Sequence, residues 1–217
     1  AYKRSENTNR DTLSAKTING KRYAFDTEGR MLYGWVRDGE RQSDDDAWKD
    51  CLYYLGDEND GAVAEGWRII NIIDDDFENA QPGDEFWDEE QDRYFYFQTS
   101  GKKVVADSGE LKTKTINGAK YGFDDTGRMV SSWYSGYAVA SGSTTVMTNS
   151  NGEKISIGQG TNTADYSNTF MYFSNPEDGA RYSKNWFKVV PGYYLEQDEY
   201  DDGSDYWYYA DGDGNLY

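Results

Sequence analysis

The chain has 217 residues, a net charge of −18 and an aromatic content of 17%, while Leu, Ile, Val and Phe supply only 33 residues. So few aliphatic side chains with so much charge would signal disorder, but 20 Tyr and 7 Trp carry large apolar rings that can build a fold by packing on one another. The acidic balance excludes a nucleic-acid partner, which needs a basic surface; no apolar run nears the ~18 residues of a membrane span; and the absence of His removes His-dependent triads and the commonest zinc ligand.

A long repeat organises the chain. Residues 16–31 (KTINGKRYAFDTEGRM) return as residues 114–129 (KTINGAKYGFDDTGRM), with eleven of sixteen positions identical. A shorter unit recurs inside it: an alternating aromatic strand, a turn ending in Gly, a short second strand and often Gly-Trp. In chain order, the predicted hairpins are centred near 23–33, 53–65 and 94–105, with turns of four, six and four residues from Phe25 to Gly29, Leu55 to Gly61 and Phe97 to Gly101. The acidic run 74–92 between the second and third reads as a loop. The next hairpin, near 121–131, again spans four residues from Phe123 to Gly127. Residues 136–163 have no counterpart in the first half, and Asn151-Gly152 between alternating segments predicts an inserted hairpin there. The last two hairpins fall near 171–184 and 207–216, with six residues from Phe173 to Gly179 and four from Ala210 to Gly214. The order four, six, four occurs twice, so duplication of a three-hairpin block is the simplest account.

Each unit is predicted to be a β-hairpin because its strand residues alternate and its Asp and Gly turns tolerate positive φ. One hairpin alone is marginal in water, and stacking buries the aromatic face of each against the next. The expected fold is therefore all-β: a β-hairpin solenoid of about six aromatic repeats arranged as a duplicated three-hairpin block. Residues 1–110 form the first block, and residues 111–217 form the second with its inserted hairpin. No amphipathic helix stands out. The opening Ala1-Tyr2-Lys3-Arg4 does not read as a secretion signal, which suits a mature chain or a segment of a longer one.

The stretch TINGKRYAFDTEGRMLYGWV (17–36) resembles the choline-binding and glucan-binding repeats of Gram-positive surface proteins, and is similar to the carbohydrate-binding repeats of clostridial toxins. The shared pattern is an aromatic strand, Asp, a turn Gly, Met, then Gly-Trp. The resemblance implies a left-handed hairpin solenoid that anchors a protein to choline-bearing teichoic acid or to glucan. It also implies a ligand held between successive hairpins by the Trp of Gly-Trp and a ring that opens the next aromatic strand. The Gly-Trp position matches Trp35, Trp67, Trp133 and, one residue later, Trp186; in the third unit it falls on Asp107. The strand-opening position holds Arg22, Leu52, Tyr94, Lys120, Phe170 and Trp207. Arg22 and Lys120 would repel a cation and cost desolvation. The expected ligand junctions are therefore Trp67 with Tyr94, which Tyr121 could join, and Trp186 with Trp207, ahead of Trp35 and Trp133. Trp48 and Trp87 lie upstream as substitutes. Rings of this kind attract quaternary ammonium groups or stack on sugar faces; they can equally form a seam between hairpins.

Other chemistries are weaker. The carboxylate runs Asp44–Asp46, Asp74–Asp76 and Asp88–Glu90 could in principle serve a glycosidase, but in turns and linkers they read as a solvated acidic face. Asp211, Asp213 and Asn215 alternate as in a calcium loop but lack a downstream bidentate Glu, so no metal and no cofactor is expected. Cys51 has no His or basic cluster beside it and reads as a small buried residue. The expected function is a non-catalytic, secreted or cell-surface module that binds cell-wall choline or glucan. The alternative is a structural spacer or protein-interaction solenoid.

Overall fold

The computed structural model describes residues 12–75, 88–108, 110–135, 146–148, 154–156, 170–191 and 202–217. Among these, the regular structure is short antiparallel strands and one four-residue helix. No described helix is long and apolar enough to cross a membrane. The chain divides into two compact units: Ala1–Asp74 with Glu90–Val105 and Thr126–Arg128, and Asp75–Glu89 with Ala106–Asp125 and Met129–Tyr217.

In chain order, β1 (Ala15–Ile18) pairs with β2 (Lys21–Ala24) across Asn19-Gly20. These turn residues have φ of 50° and 82°, a left-handed pair that Asn and Gly reach at least cost. Next, β3 (Gly34–Arg37) pairs with β4 (Glu40–Arg41) and, beyond the one-turn α1 (Ala47–Asp50), with β5 (Tyr53–Leu55). β6 (Gly66–Asp75) then pairs with β7 (Asp88–Phe97). The second half repeats the scheme. β8 (Lys112–Ile116) pairs with β9 (Ala119–Phe123) across Asn117-Gly118. Between β10 (Ser132–Ser135) and its partner lies the inserted pair β11 (Val146–Thr148) and β12 (Lys154–Ser156). β10 pairs with β13 (Phe170–Phe173), and β14 (Asn185–Val189) pairs with β15 (Tyr206–Ala210).

Two features differ from the sequence reading. The Gly-closed turns are present, but single bridges such as Phe25 to Met31, Phe97 to Lys103, Phe123 to Met129 and Phe173 to Arg181 close them rather than full second strands. The longer ladders join each Gly-Trp segment to the aromatic strand that follows it. Trp35 stands opposite Tyr54, Trp133 opposite Tyr172, and Trp186 opposite Tyr209. The second difference concerns the acidic run 74–92. β6 and β7 extend into it from both sides, to Asp75 and from Asp88. Residues 76–87 lie outside the described residues, as does the Asn151-Gly152 turn itself.

Side-chain acceptors organise the turns. Asp26 Oδ1 accepts the N–H groups of Glu28 and Arg30. Asp57, Asn175 and Asp211 do the same in their own turns. This is the Asx geometry that gives Asp and Asn their turn preference. Asp211 to Asn215 has the same geometry. Among the described residues no group of three or more acidic or Cys side chains gathers as for a metal ion.

The turn glycines also set how one hairpin meets the next. A Cβ on Gly61 would lie 2.5 Å from Met31 Sδ, and one on Gly101 2.5 Å from Val63. Gly127 rests in the same way on Lys103, Gly179 on Met129 and Gly214 on Arg181. In each case the contacted residue lies two positions after the turn glycine of the preceding hairpin. Gly101→Ala, against the stiff β-branched Val63, adds this overlap, about 1–3 kcal/mol, to about 1 kcal/mol of left-handed backbone strain. Gly20, at φ 82°, has nothing within 4 Å of where a Cβ would sit. Urea unfolding should therefore show Gly101→Ala losing at least twice the stability lost by Gly20→Ala. Equal losses would mean that the contact carries no energy.

The cores are small and local. Ala24, Leu32, Val36, Tyr53, Leu55 and Val63 form one cluster. Trp48, Ala64, Ile70, Ile72, Phe95 and Phe97 form another, and Val130, Tyr134 and Phe173 a third.

Candidate ligand-binding surface

Strand alternation decides which rings reach solvent. On β6, Ile70, Ile72 and Asp74 are buried, and on β7 Phe95 and Phe97 are completely buried. Their neighbours Trp67, Ile69, Tyr94 and Tyr96 therefore share the opposite face. There the Trp67 ring meets Tyr96 edge-on at 5.2 Å and 76°, and Tyr94 at 6.5 Å and 76°. Ile69 is left 58% exposed beside them.

The pair β14 and β15 repeats this arrangement. Phe187 and Ala210 point inward, at 4% and 0% exposure. Trp186, Lys188, Trp207 and Tyr209 occupy the outer face, with Trp186 opposite Tyr209 and Lys188 opposite Trp207. Trp186 meets Tyr209 at 5.2 Å and 66°, and the Tyr217 ring adds a further contact to Tyr209 at 5.6 Å. Trp186 and Trp207 remain 60% and 65% exposed. Each half thus carries an outward three-ring face, Trp67 with Tyr94 and Tyr96, and Trp186 with Trp207 and Tyr209.

The remaining expected ring residues lie elsewhere. Trp35 is half-buried against Tyr54 (5.0 Å), Phe95 (5.5 Å) and Phe97 (6.3 Å). Trp133 is 1% exposed, and its indole N–H donates to the Val190 carbonyl at 2.9 Å. Tyr121 is half-buried on β9 opposite Lys114, in the second compact unit, whereas Trp67 and Tyr94 belong to the first. Trp48 is also core, 1% exposed, with its N–H on the Ile73 carbonyl at 2.9 Å; Trp87 is outside the described residues. Tyr96 and Tyr209 were not singled out from the sequence. Both lie two residues from an expected ring, which the period of two would have placed on the same face.

The cations on the ring positions have different roles. Arg22 is a staple: its guanidinium pairs with Glu65 at 2.6 Å and donates to the carbonyls of Thr99 (2.7 Å) and Ser100 (3.1 Å). Lys120 is exposed, and its backbone carbonyl accepts the Arg181 N–H. Burial pushes the Cys51 thiol up to about 11, which leaves it protonated and a poor nucleophile.

No family model matches the chain, and no curated protein matches it. Solved structures do. The chain is similar to the modular autolysin LytC from Streptococcus pneumoniae, at 15% identity and a TM-score of 0.35 over 94% of this chain and 33% of that one. It is similar to the choline-binding domain of CbpL from Streptococcus pneumoniae, at 16% identity and a TM-score of 0.32 over 95% and 78% of the two chains. It is also similar to an alternansucrase in complex with isomaltononaose, at 16% identity and a TM-score of 0.31 over 94% and 15%. The chain therefore spans about a third of the length of the autolysin.

Proposed function

We propose that the chain is a non-catalytic carbohydrate-binding repeat module of a secreted or cell-surface protein, built as a duplicated three-hairpin solenoid. The observation that carries this reading is the pair of outward three-ring faces, built alike in the two halves. Leaving Trp186 and Trp207 in water forgoes burial worth about 1.5–3 kcal/mol for a large apolar side chain, and contiguous exposed apolar surface of this kind marks an interaction site. Edge-to-face Trp and Tyr pairs offer flat, electron-rich surfaces to the C–H face of a sugar ring. The net charge of −18 favours a neutral glucan over a phosphate-bearing polymer such as teichoic acid, which it would repel.

Affinity electrophoresis against soluble glucans, with isolated cell wall as a second ligand, tests this. Trp67→Ala and Trp186→Ala should each weaken retention about tenfold, the equivalent of ~1.4 kcal/mol. Trp35→Ala should matter less, with the fold checked by circular dichroism. If no glycan or wall preparation retains the protein, a spacer or protein-interaction role takes its place. If Trp35→Ala is the most damaging of the three while the fold survives, the outward faces are not the site.

A further inference from the structure

We propose that the two enclosed ring clusters of this chain are plugged by its own side chains, Phe187 in one and Lys103 in the other, and that neither accepts a small organic cation until its plug is removed. The inference stands on ring geometry alone and does not depend on the glycan reading.

The better enclosed cluster surrounds Phe187. Tyr172 stacks on it at 4.9 Å and 13°, and Tyr208 at 5.6 Å and 22°. Tyr182 lies at 4.9 Å and Trp133 at 5.9 Å, both tilted. Trp133 closes the group by meeting Tyr172 and Tyr208 edge-on at 5.0 Å and 4.9 Å. Four rings thus surround one, and the central ring is 4% exposed. Without Phe187, the walls would be electron-rich faces with an apolar interior, the environment in which quaternary ammonium ions are held by cation–π attraction.

The corresponding place in the first half is occupied differently. Register equates Trp35 with Trp133 and Tyr54 with Tyr172, since each Trp stands opposite its Tyr. The residue after Trp67 is Arg68, which is exposed and turns its guanidinium back to the Trp67 carbonyl at 2.8 Å, so that strand supplies no plug. Lys103 supplies it instead. Its Nζ lies 5.1 Å from the Trp35 ring centre and 5.5 Å from that of Phe95, and it donates to the Trp48 carbonyl. Lys103 is 2% exposed. The position two after the turn glycine is Met31, Val63, Met129 and Leu216 in four hairpins and Arg181, 9% exposed, in another, so Lys103 is one of two buried cations at an otherwise apolar position. A polar end with an acceptor and two ring faces is the compensation that burial of such a group requires. In the second half the same position is Leu216, 4% exposed, and the ring cluster there holds Phe187.

The test uses the full chain as wild type and as the Phe187→Ala, Phe187→Leu and Lys103→Ala variants. Tetramethylammonium chloride is titrated against sodium chloride of equal ionic strength, with Tm and Trp fluorescence as readouts. A ligand that binds only the folded state raises Tm by mass action. The wild type should show no saturable response. Phe187→Ala should melt lower than wild type and recover several degrees, saturably, with tetramethylammonium; Lys103→Ala should respond in the same sense. A saturable wild-type response overturns the proposal. So does a Phe187→Ala protein that folds and ignores the ion. If Phe187→Ala does not fold, Phe187→Leu decides, because it keeps the strand and most of the buried surface while opening part of the space. Its failure to respond overturns the proposal as well. Glycan retention by the wild type is a separate measurement, so either idea can fail without the other.

Discussion

Asp74→Ala is expected to lose about 3–5 kcal/mol of folding stability, the cost of removing one partner from a buried ion pair. The sequence placed Asp74 in a solvated acidic run, but it is 2% exposed. Arg93 Nε approaches its Oδ2 at 3.1 Å, and Arg128 Nη1 lies 3.1 Å and 3.0 Å from its two oxygens. The Arg128 guanidinium also lies over the Trp48 ring at 5.4 Å. One carboxylate therefore bridges two part-buried guanidinium groups, and removing it takes this shared acceptor from both. Asp74→Asn keeps the shape and some acceptor capacity, so it should fall between wild type and Ala. The exposed pair of Lys21 and Asp60, with side chains 57% and 54% accessible, provides the contrast: Asp60→Ala should leave stability close to that of the wild type. Urea unfolding at low and moderate salt measures both. A loss below about 1 kcal/mol for Asp74→Ala would show that the arginines find water in its absence.

The same carboxylate shows where reading the sequence stops. Turns are local, so they were legible: Asp or Asn followed by a Gly at a set spacing marks the closed turns other than Gln98–Gly101, and the Asx hydrogen bonds at Asp26, Asp57, Asn175 and Asp211 are the reason. The ring faces were half legible. Trp67 with Tyr94, and Trp186 with Trp207, do share faces, but Tyr96 and Tyr209 needed the strand parity to be followed one step further. The Asn19-Gly20 and Asn117-Gly118 hairpins carry the same Asn-Gly signal that predicts the inserted hairpin, and their second strands run into the aromatic segments of the repeat. What could not be read was pairing at a distance. The forward pairing of each Gly-Trp strand with the next aromatic strand, the salt bridge between Asp74 and Arg128, and the reach of Lys103 to Trp35 all join residues far apart in sequence. Composition and period do not encode such contacts.

Trp133→Ala is expected to be as costly as the loss of Asp74, about 3–5 kcal/mol for a buried Trp, and for a different reason. Trp133 is 1% exposed, and three rings lie within 5.9 Å of it: Tyr172, Phe187 and Tyr208. Removing the indole leaves a cavity among rings that already pack on one another, so little can collapse into it. It also leaves the Val190 carbonyl without the N–H it receives at 2.9 Å. Trp133→Phe separates the two effects: it keeps much of the ring contact and forfeits the hydrogen bond, for a loss of about 1–3 kcal/mol. Trp35→Ala should cost less than Trp133→Ala, because Trp35 is only half-buried and Lys103 can still donate to the Trp48 carbonyl. Near-ultraviolet circular dichroism should report the loss of the ring cluster in Trp133→Ala even where far-ultraviolet spectra still show strand. If Trp133→Ala instead folds with wild-type stability and loses only glycan retention, then Trp133 is a ligand ring and not the core of its cluster.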